Sequence, residues 1–328
     1  MQTAWGHLVP HGGTMANGFT FATSHDDVIT KPRWATDGSP LGKIWDLRWP
    51  LFFAACASGA VLIYVSAGQH LVISITLAAF IVGLVFGTAG MGANTFMTPV
   101  LILLFGFEPA AVVGTVAVYG AVTKSFGAWR HLRHGTPNLK LVFWLALGSV
   151  PMSLFGVSLV DRVKESIGSD VNAILLNVIG VTLMIAGVMY LIRAVAHLEH
   201  GDEDRLATLT TKRKLTSVGV GMLAGFIVGL TSVGSGSIFG FLLLILFPLS
   251  ARRLVGTNVV HAAVLLAFTS LAQLAFGAVQ LWTVLALIIG SVPGVVLGSR
   301  LSIAVPERGL RGVLSVVVFT SGLLLLLK

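Results

Sequence analysis

The sequence predicts an all-α integral membrane protein with an inverted-topology repeat. Each copy reads as a glycine-interrupted re-entrant or broken helical hairpin plus three transmembrane helices, and one extra N-terminal transmembrane helix precedes them. Three observations predict this. The 328 residues are 55% hydrophobic and 10% charged, with a mean hydropathy of +0.91, far too apolar for a soluble globular chain. Blocks of sequence recur at a fixed offset of 142 residues. The basic residues gather in short loops, and the two copies carry them in non-equivalent loops. The apolar runs exceed the ~9–11 residues of a barrel strand and do not alternate, so they read as helices.

Taken in order, residues 1–42 mix Gly, Pro, His, Asp and Thr without an apolar run long enough for a signal peptide, which predicts a flexible N-terminal tail. The transmembrane domain takes 43–328 and opens with the extra helix over 45–66. Repeat one, 70–196, has an interrupted apolar stretch at 70–107 and spans near 110–130, 141–159 and 171–193. A loop at 197–214 leads to repeat two, 215–328, with its interrupted stretch at 215–249 and spans near 252–276, 281–300 and 309–327. The single Cys56 excludes an internal disulfide and a cysteine-built metal cluster.

The repeat is gapless. "GSVPMSLFG" at 148–156 returns as "GSVPGVVLG" at 290–298, and the same offset joins Gly83 to Gly225, Gly87 to Gly229, Gly92 to Gly234, Gly114-Thr115 to Gly256-Thr257 and Gly135 to Gly277. Charge sets the relative orientation of the copies. The turn at 131–140 is basic, whereas its partner at 273–282, "QLAFGAVQLW", is uncharged; "FEPAA" lacks Lys and Arg, whereas its partner "LSARR" has two Arg. Equivalent loops therefore face opposite sides, and the positive-inside rule places 131–140, 197–214, 250–253 and 300–311 in the cytoplasm. The net charge of +8 is thus a topology signal, and a nucleic-acid partner is not expected.

With both ends of each interrupted stretch on one side, each must enter the membrane and return, so its glycine-rich centre forms a tip. The first tip holds Thr88, Gly90, Gly92, Asn94 and Thr95, and the second Thr231, Ser232, Gly234, Ser235, Gly236 and Ser237. Helices restart after both tips, with Asn94 or Thr95 and Ser235 or Ser237 available as N-caps. Two helix N-termini would then aim amide donors and positive dipole ends at one place near the midplane, a site for a small anion. Thr115 and Tyr119, four apart on one helix face, have Thr257 and His261 as repeat partners, with Asn258 adjacent. His261 and Lys124 stand out as ionisable groups inside spans: His261 as anion donor or proton carrier, Lys124 as a ligand or a side chain snorkelling to the cytoplasmic interface. There is no HExxH, no phosphate-binding GxxxxGK[ST] and no catalytic Ser/His/Asp set, so neither an enzyme, nor a metal, nor a cofactor is expected.

These residues resemble the sulfite exporter TauE/SafE family of bacterial membrane permeases. The resemblance is carried by "GTAGMGANTFMTPVLILLFGFEPAAVVGT" at 87–115, "RHLRHG" at 130–135, "LALGSVPMSLFG" at 145–156, "GLTSVGSGSIFGFLLLILFPLSARRLVGTNVVHA" at 229–262 and "GSVPGVVLG" at 290–298, and it covers roughly 70–328. It implies export of sulfite or small organosulfur anions across the bacterial inner membrane. Family members commonly carry consecutive glycines at the first tip; here the run is broken, and sulfite, sulfoacetate, thiosulfate and small carboxylates all suit the site. The expected activity is a secondary transporter that binds the anion between the tips and alternates access as one repeat moves against the other. A passive anion channel, or a permease for a small carboxylate, is the alternative. The expected partners are that anion, the lipid bilayer, protons as the candidate coupling ion, and a second copy in a homodimer.

Overall fold

A computed structural model describes residues 69–89, 93–195, 210–276, 279–301 and 307–328, all within one compact unit, Cys56–Lys328. The predicted tail, the helix at 45–66, residues 90–92 and most of the 197–214 loop lie outside the described residues.

The interrupted stretch of repeat one forms α1 (Gln69–Ala89) and α2 (Ala93–Pro99), the latter running into a π-helical turn at Val100–Leu104. Pro99 has no amide hydrogen to continue the α pattern and stands where that pattern gives way. Helices α3 (Pro109–Arg133), α4 (Leu139–Ile167) and α5 (Val171–Val195) follow. In repeat two the interrupted stretch becomes α6 (Thr211–Thr231) and α7 (Ser237–Leu246), followed by α8 (Ala251–Phe276), α9 (Leu281–Leu301) and α10 (Glu307–Leu326). The ends have local causes. Asn138 caps α4 by accepting from the Leu141 amide at 3.1 Å, and Gly168, at φ +61°, ends it. Among the described residues there are helices and no strands.

Among the described residues, five segments are long and apolar enough to cross a membrane: Pro109–Arg133, Leu139–Val195, Thr211–Thr231, Ala251–Phe276 and Leu281–Gly298. The chain is a multi-pass membrane protein. Its many exposed large apolar side chains, such as Leu77, Phe143, Leu223 and Leu271, are those of a surface meeting lipid.

The packing runs between repeats rather than within them. The most extensive contacts pair α1 with α9, α4 with α6, α5 with α10 and α3 with α8. Under the 142-residue offset, α1 maps onto α6 and α9 onto α4, so the first two pairs exchange; the last two map onto themselves. Glycine makes the exchanged pairs possible. A Cβ on Gly225 of α6 would strike the backbone of Ser149 on α4, and one on Gly83 of α1 would strike the backbone of Ser291 on α9. Likewise Gly148 sits on the Val218 carbonyl and Gly290 on the Thr76 carbonyl. Each contact is its counterpart moved by the repeat offset. Small residues are what allow helix backbones to approach this closely where lipid offers no hydrophobic drive to associate.

Two large apolar clusters and a small one around Ala128, Val142, Val260 and Ala263 result among the described residues. One large cluster draws on α1, α2, α3, α5, α9 and α10, with Ile75, Met97, Leu101, Ile179 and Leu287 among its members. The other draws on α4, α6, α7 and α8, around Leu141, Val228, Phe239 and Leu265. Each large cluster contains the interrupted stretch of one repeat packed on a helix of the other.

Candidate functional site

The second tip is well defined. Thr231 ends α6, and Ser232 caps it in the left-handed region at φ 56°, its amide donating to the Val228 carbonyl at 2.7 Å. Among the described residues Ser232 is the sole non-glycine with positive φ, a conformation costing about 1–2 kcal/mol for an L-residue. Its hydroxyl donates to the Val113 carbonyl on α3 at 2.7 Å, which ties the strained residue to the opposite repeat. The Thr231 hydroxyl accepts from the Val233 amide at 3.2 Å. Gly234 then turns at φ +92°, and its carbonyl collects the amides of Ile238 at 3.0 Å and Phe239 at 3.3 Å. Gly236 occupies the cap of α7 with no side-chain bond, so neither Ser235 nor Ser237 acts there as a side-chain cap.

Both serines look elsewhere. Ser237, 3% exposed, meets Thr95 of the first tip at 3.5 Å between hydroxyls; the two are repeat partners, so the starts of α2 and α7 face each other. Ser235, 1% exposed, accepts a 2.9 Å hydrogen bond from Lys124 Nζ. Lys124 thus extends to the tip rather than to an interface. Asn258 Nδ2 donates to the Gly236 carbonyl at 3.0 Å. The His261 ring lies against Phe239, 4.3 Å between centroids, with Nε2 and the Ser149 hydroxyl 2.9 Å apart.

The first tip shares the frame with different chemistry. Thr88 lies in the last turn of α1, and Gly90 and Gly92 fall outside the described residues. Asn94 sits in the first turn of α2, where its side chain crosses to other elements instead of capping: Nδ2 donates to the Val116 carbonyl at 3.3 Å and to the Ser232 carbonyl at 3.5 Å. A Cβ on Gly120 would collide with this amide. Tyr119 is fully buried and turned toward Ser291, matching His261 and Ser149 one repeat away, but the two hydroxyls do not reach hydrogen-bond geometry.

Thr115 and Thr257 hold the scaffold. The Thr115 hydroxyl accepts from the Gln280 amide at 3.1 Å, just ahead of α9, and the Thr257 hydroxyl accepts from the Asn138 amide at 2.9 Å, just ahead of α4. Both bonds are equivalent under the offset, and both join the helix after a tip to the following helix of the other repeat.

Five buried polar atoms in this region, Asn94 Oδ1, Tyr119 OH, Ser291 Oγ, Asn258 Oδ1 and His261 Nδ1, have no hydrogen-bond partner among the described residues. Such atoms cost about 1–3 kcal/mol each when left unmade, and they mark where water or a ligand would be accommodated. No cluster of His, Cys, Asp and Glu able to hold a metal occurs among the described residues.

Sequence reasoning missed one neighbour. A Cβ on Gly240, one turn into α7, would lie 3.7 Å from Arg193 Nη1 and 3.1 Å from Asn258 Nδ2. Arg193 falls two residues from the end of α5, so by position it reads as an interfacial cation; its approach to α7 follows from packing of α5 on that helix.

The family model described as "Sulfite exporter TauE/SafE" matches residues 75–325. The chain is 34% identical over 255 residues to "Probable membrane transporter protein YjnA" of Bacillus subtilis (strain 168), covering 77% of this chain and 99% of the relative. It is 26% identical over 252 residues to "Probable membrane transporter protein YdhB" of the same organism, with the same coverage of both chains. No solved structure matches the chain.

Proposed function

The chain belongs to the sulfite exporter TauE/SafE family, and from that premise we propose that it is a secondary transporter exporting sulfite or a related small organosulfur anion across the bacterial inner membrane. The observation that carries this reading is the 2.9 Å bond from Lys124 Nζ to Ser235 Oγ. It puts a cation against the uncapped start of α7, beside buried polar atoms that lack partners. An ammonium inside a bundle is costly and is retained where an ion is handled. The anion is held between the tips at the midplane, with the amides of Gly236 and Ser237 and the hydroxyls of Ser235, Ser237 and Thr95 as donors. Thr88, Gly90, Gly92, Asn94, Thr231, Ser232 and Gly234 shape the tips, and Tyr119, Asn258 and His261 wall the site. Thr115 and Thr257 act on it through the helices they tether.

Alternating access requires two bodies, and the packing favours mixed ones. Moving repeat one as a block against repeat two would break the closest backbone contacts, those made by Gly83, Gly148, Gly225 and Gly290. A body of α1, α2 and α9 exchanging with one of α6, α7 and α4 keeps them; the paired glycine contacts fit a two-fold relation between the repeats, and the basic loops at non-equivalent positions support reading it as inverted. Basic turns such as that holding Arg130 and Arg133 face the cytoplasm. Protons are the candidate coupling ion through His261, whose Nδ1 has no partner among the described residues; wild-type rate and an unchanged pH profile in His261→Gln would remove that role.

Sulfite flux into proteoliposomes tests the reading, with wild type beside a Ser235→Leu/Asn94→Leu double variant. Saturable flux that is lost in the folded variant is the expected result. Flux that never saturates and cannot accumulate against a gradient would favour a channel, and uptake of acetate in preference to sulfite would favour a small-carboxylate permease.

A further inference from the structure

The 142-residue offset makes the seam between α8 and α4 equivalent to the seam between α3 and α9, yet the two are in different conditions. Both begin at a threonine tether, Thr257 to Asn138 in one and Thr115 to Gln280 in the other. Beyond the tethers they diverge. Between α8 and α4, His261 Nε2 and the Ser149 hydroxyl are 2.9 Å apart, and the Thr269 hydroxyl donates to Ser153 Oγ at 3.2 Å. Between α3 and α9, Tyr119 and Ser291 stop short of a hydrogen bond, and Gly127 and Val295 stand where the first seam has Thr269 and Ser153. A Cβ on Gly127 would lie 3.2 Å from Val259 of α8 and, among the described residues, within 4 Å of nothing on α9. Burial follows the same division. Leu265, Leu266, Thr269 and Ser153 are buried, whereas their equivalents Thr123, Lys124, Gly127 and Val295 are part-exposed. The equivalent Phe126 and Phe268 are both exposed, so α3 and α8 turn the same face to lipid, and the difference lies on their remaining faces.

Building on the anion-transport reading above, we propose that the cytoplasmic halves of α3 and α9 border the entry to the anion site, while the outer halves of α8 and α4 border its exit, shut in this conformation by the Ser149–His261 and Ser153–Thr269 pairs. Helix α3 runs from Pro109 to the basic turn after Arg133, so Thr123, Lys124 and Gly127 lie in its cytoplasmic half. The part-exposed face leads to the site, because Lys124 extends from it to Ser235 of the second tip. Inverted repeats exchange conformations as access alternates, and a structure with one side open therefore holds equivalent seams in unlike conditions. In the exchanged state Tyr119 closes on Ser291 while the two outer pairs part. Hydrogen bonds of this kind add little net stability each, so such a seam opens without a prohibitive cost.

The test labels single cysteines in the full chain, with the native cysteine replaced (Cys56→Ser), in inside-out and right-side-out membrane vesicles free of sulfite. The probe is a membrane-impermeant maleimide. Thr123→Cys and Val295→Cys are expected to react from the cytoplasmic face, and Leu265→Cys and Leu266→Cys from the outer face at least about tenfold more slowly, as for an outward-open state populated at ~10% or less. Thr269→Val, which removes the donor to Ser153, should speed outer labelling of Leu265→Cys by about threefold or more. Size-exclusion profiles establish which variants are folded; either cysteine of each pair suffices, and Ser153→Ala replaces Thr269→Val if that variant is not. Equal labelling of the two pairs, labelling of the α3 and α9 positions from the outer face alone, or outer labelling unmoved by loss of the Ser153–Thr269 bond each overturn the gate. Labelling needs no anion, so its failure leaves the transport reading standing, whereas that reading falls by itself if wild type shows no saturable sulfite flux.

Discussion

The first and second tips lie in helical frames related by the 142-residue offset, and comparing them separates what the fold needs from what the site needs. Shared between them are the glycine contacts, with Gly83 on Ser291 matching Gly225 on Ser149, and the threonine tethers, with Thr115 on Gln280 matching Thr257 on Asn138. These hold helices against one another and carry no charge. What differs is the lining: Lys124, Asn258 and His261 serve the second tip and have Leu266, Val116 and Tyr119 at the positions one offset away, while Asn94 of the first tip has Gly236 as its counterpart. A feature kept in both copies is explained by packing, whereas a polar group present in one copy has no packing counterpart. The comparison therefore directs functional attention to the second tip.

The largest expected effect is on the shared frame. Gly83→Val and Gly225→Val each drive a side chain into helix backbone that has no room to give, and overpacking of this kind costs about 1–3 kcal/mol or more. Both should lose most folded protein, judged by size-exclusion yield in detergent. A large loss in only one of them would break the equivalence of the two halves.

Next comes the charged lining. Lys124→Met should lower sulfite flux by about 30-fold, on the scale of ~2 kcal/mol for a hydrogen bond to a charged group, with folded yield retained. Leu266→Met, at the equivalent position, should leave flux within about twofold. Equal losses at the two positions, measured as initial rates in proteoliposomes, would mean that the tips are not functionally distinct.

A smaller effect is expected at Ser232. Ser232→Ala keeps the left-handed cap but strips the Val113 carbonyl of its 2.7 Å donor, at about 1–2 kcal/mol, and Ser232→Gly should recover part of this by removing the Cβ penalty at φ 56°. Thermal unfolding should rank wild type, Gly and Ala in that order. The smallest effects are at the tethers: Thr115→Val and Thr257→Val should each cost about 1 kcal/mol, equally, by the same measurement. An additional flux defect confined to Thr257→Val would move that residue from scaffold to site.

Much of this was legible in the sequence, and the reasons are local. Hydropathy over windows of about 20 residues marks the spans because hydrocarbon thickness sets their length, and five of the expected helices from 110–130 to 281–300 coincide with described ones to within a few residues, α4 alone running on to Ile167. The break between α6 and α7 followed from a glycine cluster in an apolar run. Less legible were side-chain directions. Asn94 and Ser235 have the composition of caps, yet Asn94 crosses to Val116 and Ser232 while Ser235 accepts from Lys124. Thr115 and Thr257 share faces with Tyr119 and His261, but their hydroxyls are taken by backbone amides 165 and 119 residues away.

By itself the sequence determined the membrane class, the offset of 142 residues, the position of the break between α6 and α7 and the presence of His261 and Lys124 within spans, because each depends on composition or spacing along one chain. The tertiary structure alone decided that α1 lies on α9 and α4 on α6, that Arg193 comes beside Gly240, and that Lys124 is directed at a tip 111 residues further on. Those outcomes depend on which backbones can approach most closely once glycine removes the Cβ, and that is a property of two helices together rather than of either sequence segment.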